Sequence, residues 1–137
     1  MSNLSVDTFI LLFNKTKVIM NNLPVAGKYM FAIPMAVFGI FHLMNANGMA
    51  GMVPSFIPGG VIWVYLTGVA LIAAAVAIII GKRAKMATQL LGLMLLLFAI
   101  LVHLVAVTNG NDSSMPSLLK DLALAGGAWY MSGHLSD

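Results

Sequence analysis

The sequence predicts an all-α integral membrane protein, a four-helix bundle with an amphipathic helix at its N-terminal end. Three observations carry that expectation. Of 137 residues, 61% are hydrophobic and only 8% are charged, whereas an ordinary soluble domain carries roughly 25% charged residues. Charges are absent from Tyr29 to Gly81 and again from Met86 to Asn111, and a bilayer-spanning helix needs only about 20 apolar residues. The long apolar runs are also separated by Gly, Pro, Asn and Ser clusters, the punctuation expected between helices.

Taken in order, residues 1–24 form an N-terminal segment and residues 25–137 a transmembrane domain. In the first, Val6, Phe9, Ile10 and Phe13 recur at helical spacing among Asp7, Asn14, Lys15 and Lys17. That pattern predicts a helix lying in the membrane interface. No Lys or Arg precedes FILLF and no small-residue cleavage site follows it, which argues against a signal peptide. The spans are expected at about 28–46, 60–80, 86–107 and 117–133. The last contains Lys120 and Asp121, and at roughly 17 residues it is at the short end of the range, so a three-span protein ending in a surface helix is the alternative. Four spans are favoured because ALAGGAW offers the small residues through which membrane helices approach closely.

The basic residues orient the bundle. Lys15, Lys17 and Lys28 precede the first span, and GKRAK joins the second to the third, while NANGMAGMVPSFIPGG and TNGNDSSMPS carry no Lys or Arg. The positive-inside rule puts both termini and GKRAK in the cytoplasm and the two polar loops outside. The net charge of +3 is dispersed over small groups, so it reads as orientation, and nucleic acid is not an expected partner. With no cysteine, the chain has no disulfide, no thiolate metal site and no thiol redox step of its own. The expected partners are the lipid bilayer and other membrane or periplasmic proteins, or further copies of the chain.

On this topology His42, Asn45, His103, Asn109, Lys120 and Asp121 all fall in the outer half of the bundle. They form the candidate ligand-binding cluster. The inner half offers Thr88, Gln89, Tyr130 and Ser132. Three stripes are expected to turn inward: Pro34, Phe38, His42 and Asn45 on the first span; Thr67, Ala70, Ala74, Ala77 and Gly81 on the second; Gln89, Gly92, Leu96, Ala99 and His103 on the third. An ionisable side chain at the bilayer centre costs at least about 2.5–3.5 kcal/mol, so each such residue needs a reason. The two histidines are either neutral imidazoles bonding across helices or a ligand or proton site. Lys120 and Asp121, being adjacent, are expected to point apart and to pair with other spans, with an anionic headgroup or a quinone oxygen as an alternative partner for Lys120. Met44, Met49 and Met52 beside His42 could offer soft copper(I) ligands, but no strict methionine spacing repeats, and no metal site is expected. Trp63, Tyr65, Trp129 and Tyr130 read as interfacial anchors. The glycine pairs at 59–60 and 126–127 match no phosphate loop or dinucleotide fingerprint.

From MVPSFIPGGVIWVYLTGV through GKRAK to LLKDLALAGG, with GIFHLMN upstream, the chain resembles the DoxX family of small bacterial four-helix membrane proteins. The resemblance implies a protein of the bacterial cytoplasmic membrane and a link to thiosulfate:quinone oxidoreductase subunits and oxidative-stress complexes. It supplies no catalytic residue. The function expected is a non-catalytic subunit or scaffold of a membrane complex. The alternatives are a quinone- or lipid-binding redox subunit, with His42, His103 and Lys120 lining an outer-half pocket, and a small transporter. No haem, flavin or iron–sulfur ligand set is visible, so quinone is the one cofactor considered. Disulfide chemistry coupled to quinone needs paired cysteines and is excluded.

Overall fold

A computed structural model describes residues 5–137. The first four positions of the N-terminal segment lie outside the described residues. Every regular element is helical: α1 (Val6–Met44), α2 (Ala46–Met49), a 3₁₀ turn (Ala50–Met52), α3 (Gly60–Ile80), α4 (Ala84–Phe98), a π-helical stretch (Ala99–Leu104) that runs on into α5 (Val105–Thr108), a 3₁₀ turn (Asp112–Ser114) and α6 (Met115–Ser132). Three helices are long and apolar enough to cross a membrane: Val6–Met44, Gly60–Ile80 and the continuous Ala84–Thr108. The expected fourth, α6, is 18 residues long and is not among them; Lys120 and Asp121 lower its apolar character.

The interface helix and first span predicted as separate pieces are one helix. Ser5 opens it, its hydroxyl accepting from the Thr8 amide at 3.3 Å, as an N-cap does. The helix runs through Pro24 and Pro34, each of which removes one backbone donor. It ends at Asn45, whose side-chain amide donates to the Phe41 carbonyl at 3.0 Å. Residues 5–27 are exposed on every side; packing begins at Lys28.

α1 packs along α3, α4 packs along α6, and the two pairs meet through α3 and α4. Ala32 and Met35 of α1, Leu71, Ala75 and Ile78 of α3, Leu91 and Leu95 of α4 and Ala125 of α6 share one apolar core. α1 and α3 cross closely at Gly39 and Gly68: a Cβ on Gly39 would lie 2.7 Å from the Gly68 carbonyl oxygen, and one on Gly68 would lie 2.9 Å from the Gly39 oxygen. On α4, a Cβ on Gly92 would meet the Trp129 indole at 2.5 Å. The indole nitrogen donates to the Gln89 carbonyl at 3.2 Å, so Trp129 is a packing residue of the α4–α6 pair as well as a half-exposed aromatic.

Several expected faces are corrected by these contacts. On α3 the buried positions are Val64, Gly68, Leu71, Ala75 and Ile78, one residue on from the small-residue stripe at 67, 70, 74 and 77. On α1 the buried positions are Ala32, Met35 and Gly39; Pro34, Phe38 and Asn45 are exposed. On α4, Gly92 and Ala99 are buried as expected, while Gln89 is exposed. Gly126 and Gly127 face open space, and α6 packs through Leu118, Ala125 and Ala128 instead.

One end of the bundle gathers the basic residues. The Lys28 ammonium donates to the Ile79 carbonyl at 3.2 Å, which satisfies an acceptor at the α3 C-terminus. Gly81, with φ +74°, closes that helix and starts the turn holding Lys82 and Arg83. The Met86 amide donates to the Asp137 carboxylate at 3.0 Å, which brings the C-terminus to the same end. The loops 45–59 and 109–114 therefore lie at the opposite end.

Candidate functional site

Asp121 is the most buried ionisable side chain of the cluster, its residue only 4% accessible. It sits on the face of α6 that turns toward α4, in register with the buried Leu118, Ala125 and Ala128. A carboxylate there needs partners, and it has two. His103 Nε2 lies 3.2 Å from Oδ2, and Lys120 Nζ lies 3.4 Å from Oδ1. His103 belongs to the π-helical stretch that begins at the buried Ala99. Such wide turns change the direction in which succeeding side chains leave the helix and recur at functional positions. The pairing of Lys120 with Asp121 corrects the expectation that the two point apart. The short Asp121 side chain is directed at α4, and the long Lys120 stem folds back to it. Lys120 Nζ also lies 5.1 Å from the centre of the Phe38 ring on α1, a cation–π distance.

These groups border a cavity of about 640 Å³, within the range of small-molecule sites. Its walls come from α1, α3, the upper part of α4 with its π-helical continuation, and α6, and the Met49–Ile57 loop closes the end away from the basic residues. The lining is apolar through Met35, Leu66, Leu71, Met94, Phe98 and Leu124 among others. Polar side chains enter only as Thr67, His42, His103, Lys120 and Asp121, with the indole of Trp63. The Trp63 nitrogen is already committed to the Pro58 carbonyl at 3.0 Å.

Of the six residues singled out in the sequence, four line this cavity: His42, His103, Lys120 and Asp121. Asn45 does not, because its amide is spent closing α1. Asn109 is exposed and lines a neighbouring, more polar cleft of about 690 Å³ with Asn111, Ser113 and Ser117. His103 borders both clefts. The sequence reading omitted Thr67 from the cluster and left unseen the π-helical turn that carries His103. The methionines at 49 and 52 line the cavity wall, and among the described residues no three His, Asp or Glu side chains group as a metal site would require.

Two of the four inner-half polar residues, Thr88 and Ser132, hydrogen-bond within their own helices. The Thr88 hydroxyl, fully buried, donates within its own helix to the carbonyls of Ala84 and Lys85 at 2.9 and 2.8 Å. The Ser132 hydroxyl donates to the Trp129 carbonyl at 2.7 Å.

Comparison with protein families matches residues 31–124 to the domain of unknown function DUF8561. The match covers more than half of the chain, which therefore belongs to that family. It overturns the resemblance to the DoxX family: the succession of loop, apolar helix and basic turn that carried the resemblance is generic to small helical membrane proteins and has no decisive motif. The bacterial cytoplasmic membrane and the link to thiosulfate:quinone oxidoreductase subunits lose their basis with it. No curated protein and no solved structure matches the chain.

Proposed function

We propose that this is an integral membrane protein that binds a lipid-soluble small molecule, the apolar body of the ligand filling the interhelical cavity and its polar head meeting His42, His103 and Lys120. The observation that carries this reading is the cavity itself: an apolar chamber of about 640 Å³ whose charged and imidazole groups come from three different helices. Lipids and quinones have the matching two-part chemistry. In this reading α6 also crosses the bilayer. Its 18 residues span about 27 Å, close to the hydrocarbon thickness of about 30 Å, and Leu119, Leu122 and Trp129 face outward from the bundle. Both termini and GKRAK lie in the cytoplasm, and the cavity opens in the outer half.

The test is purification in mild detergent followed by native mass spectrometry and an optical spectrum. Wild-type protein is expected to retain a lipid-soluble ligand. Ala70→Trp, which puts an indole into the cavity from an exposed wall position, is expected to lose it. Equal ligand content in both proteins would overturn the reading.

A second reading, a scaffold subunit, is favoured by a separate observation. Residues 5–27 of α1 are exposed throughout, among them Phe9, Leu12, Phe13, Met20 and Leu23. Such a surface marks an interaction site. If it docks protein, Phe13→Ser with Leu23→Ser lowers the assembled mass in detergent. A monomeric mass for both proteins removes this reading.

A further inference from the structure

We infer, granting that the cavity holds a lipid-soluble ligand, that the head group it selects is an uncharged hydroxyl, recognised as a hydrogen-bond donor by His42 and His103. The argument starts from where the imidazole protons must sit. His42 Nδ1 lies 2.7 Å from the Phe38 carbonyl oxygen. A carbonyl only accepts, so Nδ1 carries the hydrogen, and in the neutral ring Nε2 is left with a bare lone pair. His103 Nε2 lies 3.2 Å from the Asp121 carboxylate, which is likewise an acceptor. The hydrogen is therefore on Nε2, and in the neutral ring Nδ1 is the bare nitrogen. Both imidazoles border the same cavity, and in the neutral form each keeps one ring acceptor unused.

The charges exclude the competing heads. Asp121 and Lys120 sum to zero, and both carboxylate oxygens are engaged, Oδ2 with His103 and Oδ1 with Lys120. An ammonium head would find no free carboxylate. A carboxylate or phosphate head would have to compete with Asp121 for Lys120, whose ammonium also lies over the Phe38 ring, and would meet the lone pairs of two neutral imidazoles. An ether or ester oxygen can accept from the remaining ammonium hydrogens but leaves the imidazole acceptors unpaired. A hydroxyl satisfies both needs at once, giving its proton to an imidazole nitrogen and its lone pairs to Lys120. The class includes long-chain alcohols and hydroxyarenes such as quinols.

The experiment uses full-length protein in lipid nanodiscs and follows the emission of Trp63, which lines the cavity, as ligand is titrated on a lipid mole-fraction scale. Dodecan-1-ol is compared with its methyl ether and with dodecanoate, and 4-nonylphenol with its methyl ether. One added hydrogen bond corresponds to roughly tenfold in affinity, so each hydroxyl compound is expected to bind about tenfold more tightly than its ether. The alkyl and aryl pairs show which of the two sources of the hydroxyl fits the chamber. His42→Phe and His103→Phe are expected to bring the ratio toward one while ether binding stays within about twofold. Because His103→Phe also removes a partner of Asp121, His42→Phe is the decisive variant should the other fail to fold. Saturable binding of alcohol and ether with equal affinity, or tighter binding of dodecanoate, overturns the hydroxyl assignment and leaves the cavity reading intact. Absence of saturable binding by any of the five compounds overturns both.

Discussion

Asp121 is where the physical chemistry of this chain concentrates. A carboxylate this deeply buried is tolerable only while its oxygens are paired, and the partners come from two helices. Removing the carboxylate strands His103 and frees Lys120, so Asp121→Ala is expected to lower stability by about 1–3 kcal/mol. Asp121→Asn keeps an acceptor for His103 and is expected to cost less. Lys120→Met, at a residue whose side chain is 48% exposed, should change little, since solvent already shares that charge. Thermal unfolding of the three variants in one detergent checks the order; a melt for Asp121→Ala equal to wild type would refute it. Of this cluster, the sequence disclosed that hydrophilic residues from several apolar helices reach a similar depth. Which atom meets which was not legible. Adjacent helix positions point about 100° apart, a rule that governs Cβ directions and fails for a lysine whose four-carbon stem bends back on its neighbour. Asn45 stands outside the cavity lining for a related reason: an asparagine ending a helix and one facing a cavity look the same in sequence.

At the scale of the helices, the position of α3 was legible and the buried faces of α1 and α3 were not. The span expected at 60–80 is α3 to the residue, Gly60–Ile80, because Gly59 and Gly81 punctuate it. The face of α3 was misread by one position, a rotation of about 100°. In a helix apolar all round, polarity cannot tell core from lipid, and packing in lipid is decided by shape. The deciding shape is the backbone contact of Gly39 with Gly68, which fixes the rotation of both helices. Gly39→Val or Gly68→Val puts side-chain atoms where a Cβ alone already lies within 3.0 Å of a carbonyl oxygen. Either is expected to cost about 2 kcal/mol or more through backbone displacement. Gly126→Ala and Gly127→Ala meet nothing within 4 Å and are expected to be neutral or to gain up to about 1 kcal/mol from helix propensity. Detergent-dependent unfolding of the four variants separates the two pairs. Comparable losses in both would mean that the α1–α3 crossing does not set the packing.

For the molecule as a whole, the distribution of charge and the length of α1 make a joint demand. Lys28, Lys82, Arg83 and Lys85 collect at one end with the C-terminus, held there by the Lys28–Ile79 and Met86–Asp137 bonds, while loops 45–59 and 109–114 at the other end carry no Lys or Arg. The 39 residues of α1 extend about 58 Å, nearly twice the hydrocarbon thickness of about 30 Å. The half that packs against α3 is long enough for one crossing. The other half continues past the basic end with its apolar side chains uncovered, a surface suited to a membrane interface or to another protein on that side. The sequence announced this segment as amphipathic but not its continuity with the first span, because Asn21-Asn22-Leu23-Pro24 has the composition of a break while a proline can be accommodated within a long helix. Because the chain has no cysteine, orientation is directly measurable with single cysteines and a membrane-impermeant maleimide. Ser55→Cys and Ser113→Cys, both exposed, are expected to label in intact cells, and Lys82→Cys only after permeabilisation. Labelling of Lys82→Cys from outside with protection of the two serine positions would invert the molecule, place the cavity toward the cytoplasm, and move the source of its ligand to the inner leaflet.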